Sequence, residues 1–357
     1  MKARSSEAKN SLKEQLKQID ALFATAGLVR QRRGTPAGIT TRLRLERSEP
    51  EEVFVPTPAP WIAPNGVGLI RVEEWLKHRW LWAGFSTRIG GRSRVYAPEG
   101  AAGELNLGFT AEDDRARVVE NRRLLAEAVS GSAETPLVLL KQIHSNLLVM
   151  AGAEDGGRAT PRKGDGVVTD EPGVLLAVQT ADCIPVLVAD TRKRVVGAFH
   201  AGWRGTVKRI VETGVGRMRL EFGCRPEDMV AAVGPGIGAC CYAVGDEVFS
   251  EFESQFSYAR ELFGEVYDSD PIRQKYPMLF LTQRAPGHSP IGPSLHVNLA
   301  EANRWQLLDA GLKAEAVRVV GGCTQCQHDL FFSHRGQKGR AGRMMSVIGV
   351  RPERNRK

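Results

Sequence analysis

Two apolar, β-branched runs, Val174–Val188 and Val195–Phe199, constrain this chain more than any other feature. Runs of that length and composition read as buried strands. Each is interrupted or closed by a residue with a lone pair to offer: Cys183 lies inside the first and His200 closes the second. A third donor, His144, stands at the head of the apolar run Ser145–Met150. Two imidazoles and one thiolate from three strand-like segments form the donor set of an open catalytic zinc site, in which water or substrate fills the fourth position. The spacing matches no short-range signature such as paired CxxC or HExxH, and a cysteine in an apolar strand is ordinarily a small core hydrophobe. Local context favours the metal. Thr180-Ala181-Asp182-Cys183 stands where Val or Leu would pack better, at a cost in burial with no structural return. His200 is followed by Ala-Gly-Trp-Arg-Gly, where small residues let backbone approach closely and Arg204 supplies a planar cation.

Length and composition set the limits. A chain of 357 residues holds one large domain or two ordinary ones, and 42% apolar residues suffice for a sizeable core. No apolar run approaches the roughly eighteen residues that span a bilayer, and the N-terminal stretch has no apolar signal core. Six cysteines, two of them adjacent, do not form a disulfide framework pattern. Together these features predict a reducing, cytoplasmic compartment and no membrane partner. The net charge of +8 is concentrated in the two ends, which read as solvated tails rather than a nucleic-acid surface. A basic protein also suits an anionic small substrate such as phosphate.

In chain order, residues 1–60 read as an extension: one amphipathic helix with Leu12, Leu16, Ile19 and Phe23 on one stripe, then a flexible basic and Pro-rich linker. The catalytic domain is expected over 61–357. Gly90 and Gly91 permit a tight turn that can bring Arg88 to a ligand, and Asn106 sits in a short Leu-Asn-Leu strand. Asp113–Val129 has helical spacing. Asp165, between two glycines, is a turn residue or a partner for a ligand histidine. Thr206–Phe222 reads as a helix with Arg204 just ahead of it, its N-terminus forming an anion site. Gly234-Pro235-Gly236-Ile237-Gly238 offers backbone N–H groups as a nest for an anion, with Gly236 at its centre. Cys240 and Cys241 read as buried structural thiols, and Cys323-x-x-Cys326 alone is weak evidence for a second metal. Glu251–Ser289 is the least readable stretch, with an insertion that could serve as a lid or dimer contact. Leu295–Leu312 reads as a strand leading into a helix with Gly311 as its C-cap, and Phe331-Phe332-Ser333 as a strand.

The motifs KQIHS, TADC and HAGWRG, followed in order by GPGIGACCY, HVNLAEANRWQLL, CTQ and FFSHR, resemble the YfiH-type laccase-domain family, also called the multicopper polyphenol oxidase or purine nucleoside phosphorylase family. The resemblance runs from Trp61 to the C-terminus. It implies one α/β domain whose core is similar to the cytotoxic necrotizing factor deamidase. It implies a zinc ion, with copper as the alternative, held by His144, Cys183 and His200, which also carry the catalysis. It implies phosphorolysis of adenosine, inosine, guanosine and methylthioadenosine, and hydrolytic deamination of adenosine. The arginine of the STR motif and the asparagine of LNLG, here Arg88 and Asn106, line the family's pocket. The family's His-Leu-Asp-Leu is His296-Val297-Asn298-Leu299 here, so a charge-based role at that position is in question.

The fold expected is a single α/β (α+β) domain with a mixed central sheet or sandwich flanked by helices. The function expected is a zinc-dependent purine nucleoside phosphorylase with adenosine deaminase activity, acting on nucleoside and phosphate, with Arg88, Asn106, Arg204 and Gly236 at the substrate and Asp182 as a proton carrier or an orienting group. Two alternatives remain: a metal-free cysteine hydrolase, with Cys183 as nucleophile and His200 as base, acting on a peptidoglycan precursor, and a copper-dependent polyphenol oxidase, for which seven histidines are few. The oligomeric state stays open.

Overall fold

Period-two alternation along the apolar strands builds two facing sheets. The computed structural model describes residues 57–266 and 294–353. The first strands are β1 (Trp61–Ile62), β2 (Gly68–Ile70), β3 (Leu81–Ser86) and β4 (Ile89–Ser93). After helix α1 (Arg115–Ser130) come β5 (Leu137–Leu139), β6 (Leu148–Met150), β7 (Gly166–Thr169), β8 (Leu175–Thr180), β9 (Ile184–Asp190) and β10 (Val196–Ala201). Helices α2 (Trp203–Val207) and α3 (Ile210–Phe222) precede β11 (Met229–Val233), β12 (Ala243–Val244), α4 (Asp246–Gln255) and β13 (Phe263–Val266). The chain closes with β14 (Ser294–Val297), α5 (Leu299–Asp309), β15 (Val317–Val319) and β16 (Met344–Val350).

One six-stranded sheet has the order β1-β2-β3-β16-β8-β5 and the other β15-β11-β9-β10-β7-β6, with a small third sheet β12-β14-β13. Both large sheets are mixed: β5 with β8, β6 with β7 and β11 with β15 pair in parallel, among antiparallel neighbours. Successive side chains point to opposite faces, and the core divides accordingly. Leu176 and Val178 of β8 meet Leu187 and Ala189 of β9 and Val196 and Ala198 of β10 in the cluster between the sheets. Leu175 and Ala177 turn the other way, against Leu125 of α1. Val186, Val188 and Phe199 pack on Ile210, Val215 and Met218. The result is a single α/β domain, a mixed sandwich with α1 outside one sheet and α2, α3 and α5 outside the other.

Several expectations are corrected. The run Val174–Val188 is two strands in different sheets, divided by a bend at Ala181–Cys183 in which Asp182 has φ +93°. Thr206–Phe222 is not one helix: α2 starts earlier, at Trp203, and Arg209 at φ +57° separates it from α3. A left-handed residue cannot continue the α-helical ladder. Arg204 therefore lies inside a five-residue helix, not ahead of a long one. Phe331, Phe332 and Ser333 form an irregular segment between two runs of turns rather than a strand; both rings are fully buried, which alternation in a one-face-buried strand would forbid. Glu251–Gln255 belongs to α4, while the expected insertion, the N-terminal helix and its linker up to residue 56 lie outside the described residues.

Candidate functional site

Strand register assembles the site at one end of the sandwich, where β8 gives way to β9. His200 opposes Pro185 and Ala201 opposes Ile184, so Cys183 and Gly202 come next to each other at the following step. On the other flank Phe199 opposes Gly166, which sets His200 beside Asp165. His200 donates its backbone N–H to the Asp165 carbonyl at 2.7 Å, and its ring Nδ1 stands 2.9 Å from Asp165 Oδ1.

Asp165 is fully buried. Its carboxylate also accepts the backbone N–H groups of Ile143 (3.2 Å), His144 (3.0 Å) and Ser145 (2.7 Å) and the Ser145 hydroxyl (2.7 Å). Those bonds fix the loop between β5 and β6, where His144 adopts φ +57°. One carboxylate thus places both imidazoles. With Nδ1 of His200 given to Asp165, Nε2 is the nitrogen left to ligate.

His144 Nε2 lies 3.9 Å from Cys183 Sγ, and the two imidazole centroids are 5.0 Å apart. One ligand atom from each of His144, Cys183 and His200 lies within 4.8 Å of the others. The gap between them is kept by Gly202: a Cβ there would stand 2.9 Å from Cys183 Sγ and 3.1 Å from His144 Cδ2. His200 is buried, Cys183 half-buried and His144 exposed, so the cluster is walled on one side and open on the other. Two imidazoles and a thiolate around a preserved gap with one open face fit a metal ion that keeps a position for a ligand.

The electrostatics agree. Burial pushes the Cys183 thiol up, but the charge of His200 and the hydrogen bonds of His144 and His200 outweigh it and bring the thiol to about 6. Burial pulls His200 down, and Cys183 and Asp165 together raise it to about 9. Burial raises Asp165, yet its bonds to His200 and Ser145 hold it well below the carboxylate range. The surroundings therefore shift Cys183 toward the thiolate, the form that binds metal.

The other residues divide. Asp182 does not reach a ligand imidazole among the described residues; its carboxylate accepts Thr324 Oγ1 (2.7 Å) and the Arg335 N–H (2.6 Å), while its carbonyl accepts the Ile237 N–H (2.8 Å). It orients loops, not a ligand. Gly236 packs on the same bend: a Cβ would stand 2.3 Å from Ile184 Cδ1 and 2.9 Å from the Asp182 carbonyl. Arg204 lies over the Trp203 ring at 4.3 Å. Arg88 is ion-paired with Glu104 at 2.5 Å and stacks on Phe332 at 4.7 Å. Asn106 is fully buried, donating to Gly108 O and Asp113 Oδ2 and accepting from Arg343 N. Tyr242 was not singled out by sequence. Burial, then the negative charge of Cys183, push its phenol up to about 12 against the opposing pull of Arg335 and Arg204. A surface hollow of about 210 Å³ lined by Arg71, Trp75 and His78 shares no residue with this site.

A family model described as multi-copper polyphenol oxidoreductase laccase matches residues 82–351. The chain belongs to that laccase family. Within it, the chain is 36% identical over 278 residues to a purine nucleoside phosphorylase YlmD of Geobacillus stearothermophilus, covering 76% of this chain and 90% of the relative. It is 30% identical over 250 residues to an adenosine deaminase RL5 from an unknown prokaryotic organism, covering 68% and 86%. The solved structure of a Bacillus licheniformis hypothetical protein YfiH superposes with a TM-score of 0.66 at 29% identity, over 82% of this chain and 99% of that one. Family relatives thus carry enzyme names of two purine-nucleoside activities. Among the described residues no helix is long and apolar enough to cross a membrane.

Proposed function

We propose that this laccase-family chain is a zinc-dependent purine nucleoside phosphorylase that also deaminates adenosine. Adenosine, inosine, guanosine and methylthioadenosine are its substrate class, with phosphate as the second substrate. The observation that carries the reading is the convergence of His144, Cys183 and His200 around the gap that Gly202 keeps open; the names of the relatives supply the substrates. His144, Cys183 and His200 would hold the zinc ion, which when bound would supply Lewis acidity and a water acidified toward about 7. Copper is the alternative ion, but a multicopper oxidase needs more imidazoles than this single three-donor cluster offers.

The remaining chemistry falls to the protein. In phosphorolysis a phosphate oxygen bonds to the ribose carbon as the bond to the purine nitrogen breaks, and the base leaves with a proton. Arg204 attracts the phosphate; the Gly234–Gly238 loop shapes the wall instead, since the Gly234 and Ile237 N–H groups are already given to the Pro185 and Asp182 carbonyls. Tyr242, protonated at neutral pH, donates a hydrogen bond to the base. In deamination water adds at the purine carbon bearing the amine, and ammonia leaves. Asp165 keeps His200 in one tautomer throughout. Arg88 and Asn106 shape the wall rather than charge it, because both are already bonded internally. A cytoplasmic location belongs to the same reading, since all six cysteines are free.

The test is incubation with adenosine and phosphate. Adenine plus ribose 1-phosphate reports phosphorolysis, and inosine reports deamination. Zinc-loaded protein that turns over no purine nucleoside would refute the assignment. The acidified Cys183 beside the Asp165–His200 pair favours a second reading, a cysteine hydrolase acting on an amide such as a peptidoglycan precursor. Full activity after chelation, abolished by a thiol alkylator, would select it.

A further inference from the structure

We infer that Cys240, Cys241, Cys323 and Cys326 form a second metal site, a tetrathiolate that takes zinc and clamps together the two loops framing the catalytic cleft. In sequence the two pairs are far apart, and neither alone is a metal signature. The fold joins them: one sulfur from each lies within 4.8 Å of the others. Cys326 Sγ stands 3.5 Å from Cys240 Sγ and 3.4 Å from Cys241 Sγ. A tetrahedral zinc with Zn–S near 2.3 Å separates its sulfurs by about 3.8 Å, so small movements seat the ion. The set holds no carboxylate and no imidazole; four soft donors select zinc over magnesium or calcium. Cys240 is exposed and Cys241 half-buried, so the expectation of buried structural thiols for that pair is corrected, and with Cys326 also exposed an ion has access.

The surrounding backbone is shaped to hold the pairs together. Gly236 bridges to Cys323, and Thr324 donates its N–H to the Gly236 carbonyl at 2.9 Å. Gly238 has no side chain where a Cβ would stand 3.1 Å from Cys323 Cβ and 3.2 Å from Cys240 Sγ. The clamp also meets a need. Residues 320–343, between β15 and β16, form neither helix nor extended strand. Connections beyond about 12–15 residues without regular structure are uncommon in compact domains and require other support. Cys323 and Cys326 lie in that connection, and Cys240 and Cys241 on the loop after β11. Thr324, inside the CxxC, bonds Asp182 next to Cys183, and Tyr242 follows Cys241 directly. Binding forms four S–Zn bonds and releases the thiol protons; nothing is oxidised, and no co-reactant is required.

The test uses full-length protein purified without chelator. Wild type is expected to carry two zinc ions per chain by elemental analysis, and Cys183→Ala one. Reconstituted with cobalt, Cys183→Ala should show the intense charge-transfer and ligand-field bands of tetrahedral thiolate-bound cobalt, and Cys183→Ala/Cys326→Ser should lose them. The first variant leaves the proposed site intact, so the result does not depend on whether the second one folds, nor on whether the catalytic reading is right. Reduced Cys183→Ala that retains no zinc after dialysis overturns the proposal. So does iron in place of zinc, or wild-type protein whose unfolded, unreduced chain has two fewer titratable thiols than its six cysteines, the signature of a disulfide.

Discussion

A single carboxylate decides where two ligand side chains stand. Asp165 binds the His200 ring and three backbone N–H groups of the loop that carries His144. Asp165→Asn removes the charge that fixes the His200 tautomer and weakens those bonds. Groups that orient a metal ligand typically contribute 10–100-fold in affinity, so zinc affinity should fall by about that factor in competitive chelator titration. A folded chain with unchanged affinity would show that Asp165 only shapes the turn. Cys224 offers a test far from the metal ligands. Its thiol is buried, and burial, then Asp190, push it up to about 12. A raised folded value means that stability is fully present below the unfolded thiol pKa, about 8.5, and is lost as pH rises toward 12. Urea midpoints between pH 8 and 10 should therefore fall more steeply for wild type than for Cys224→Ala. At this scale His144, Cys183 and His200 could be singled out from sequence as candidate donors because lone-pair groups stand out in or beside apolar runs, and the structure brings the three together. The double role of Asp165 was only half legible: between two glycines it reads equally as a turn residue, and its partners become neighbours only through the β7–β10 register.

At the scale of elements, helices with clear punctuation were readable and those without it were not. Helix α1 follows Asp114, which accepts the Ala116 N–H at 2.8 Å, and ends on Gly131 at φ +87°. Helix α5 is capped by Asn298, whose side chain accepts the Glu301 N–H at 3.0 Å. That gives a physical role to the position where the family's aspartate is replaced, since Asn and Asp are near-equivalent N-caps. Asn298→Asp should leave thermal stability nearly unchanged, and Asn298→Ala should cost about 1 kcal/mol by denaturant unfolding; equal losses for both would point to a different role. The break between β8 and β9 was hidden because no glycine marks it: Asp182 takes the left-handed conformation, supported by Thr324 and Arg335 from far along the chain. Likewise α2 and α3 read as one helix because Arg209 gives no sequence sign of its φ. Buried Asn303 and Gln306 of α5 hold α2 in place through Thr206.

Across the whole molecule, the sandwich provides a rigid end on which three segments meet, while the cleft's other walls are irregular loops. A metal that binds the folded chain and not the unfolded one adds stability by mass action. Stripping zinc with a chelator should abolish turnover and lower the melting temperature, and zinc readdition should restore both; stability indifferent to the metal would mean that the donors bind no ion. The sequence by itself determined the α/β class, the apolar strands and three candidate donor residues, because hydrophobic periodicity and side-chain chemistry are local properties of the chain. Only the tertiary structure decided that Val174–Val188 crosses between sheets, that one carboxylate serves two histidines, and that two distant cysteine pairs share one space. Those outcomes depend on strand register and on hydrogen bonds between residues far apart in the chain, and no local pattern encodes which of them will meet.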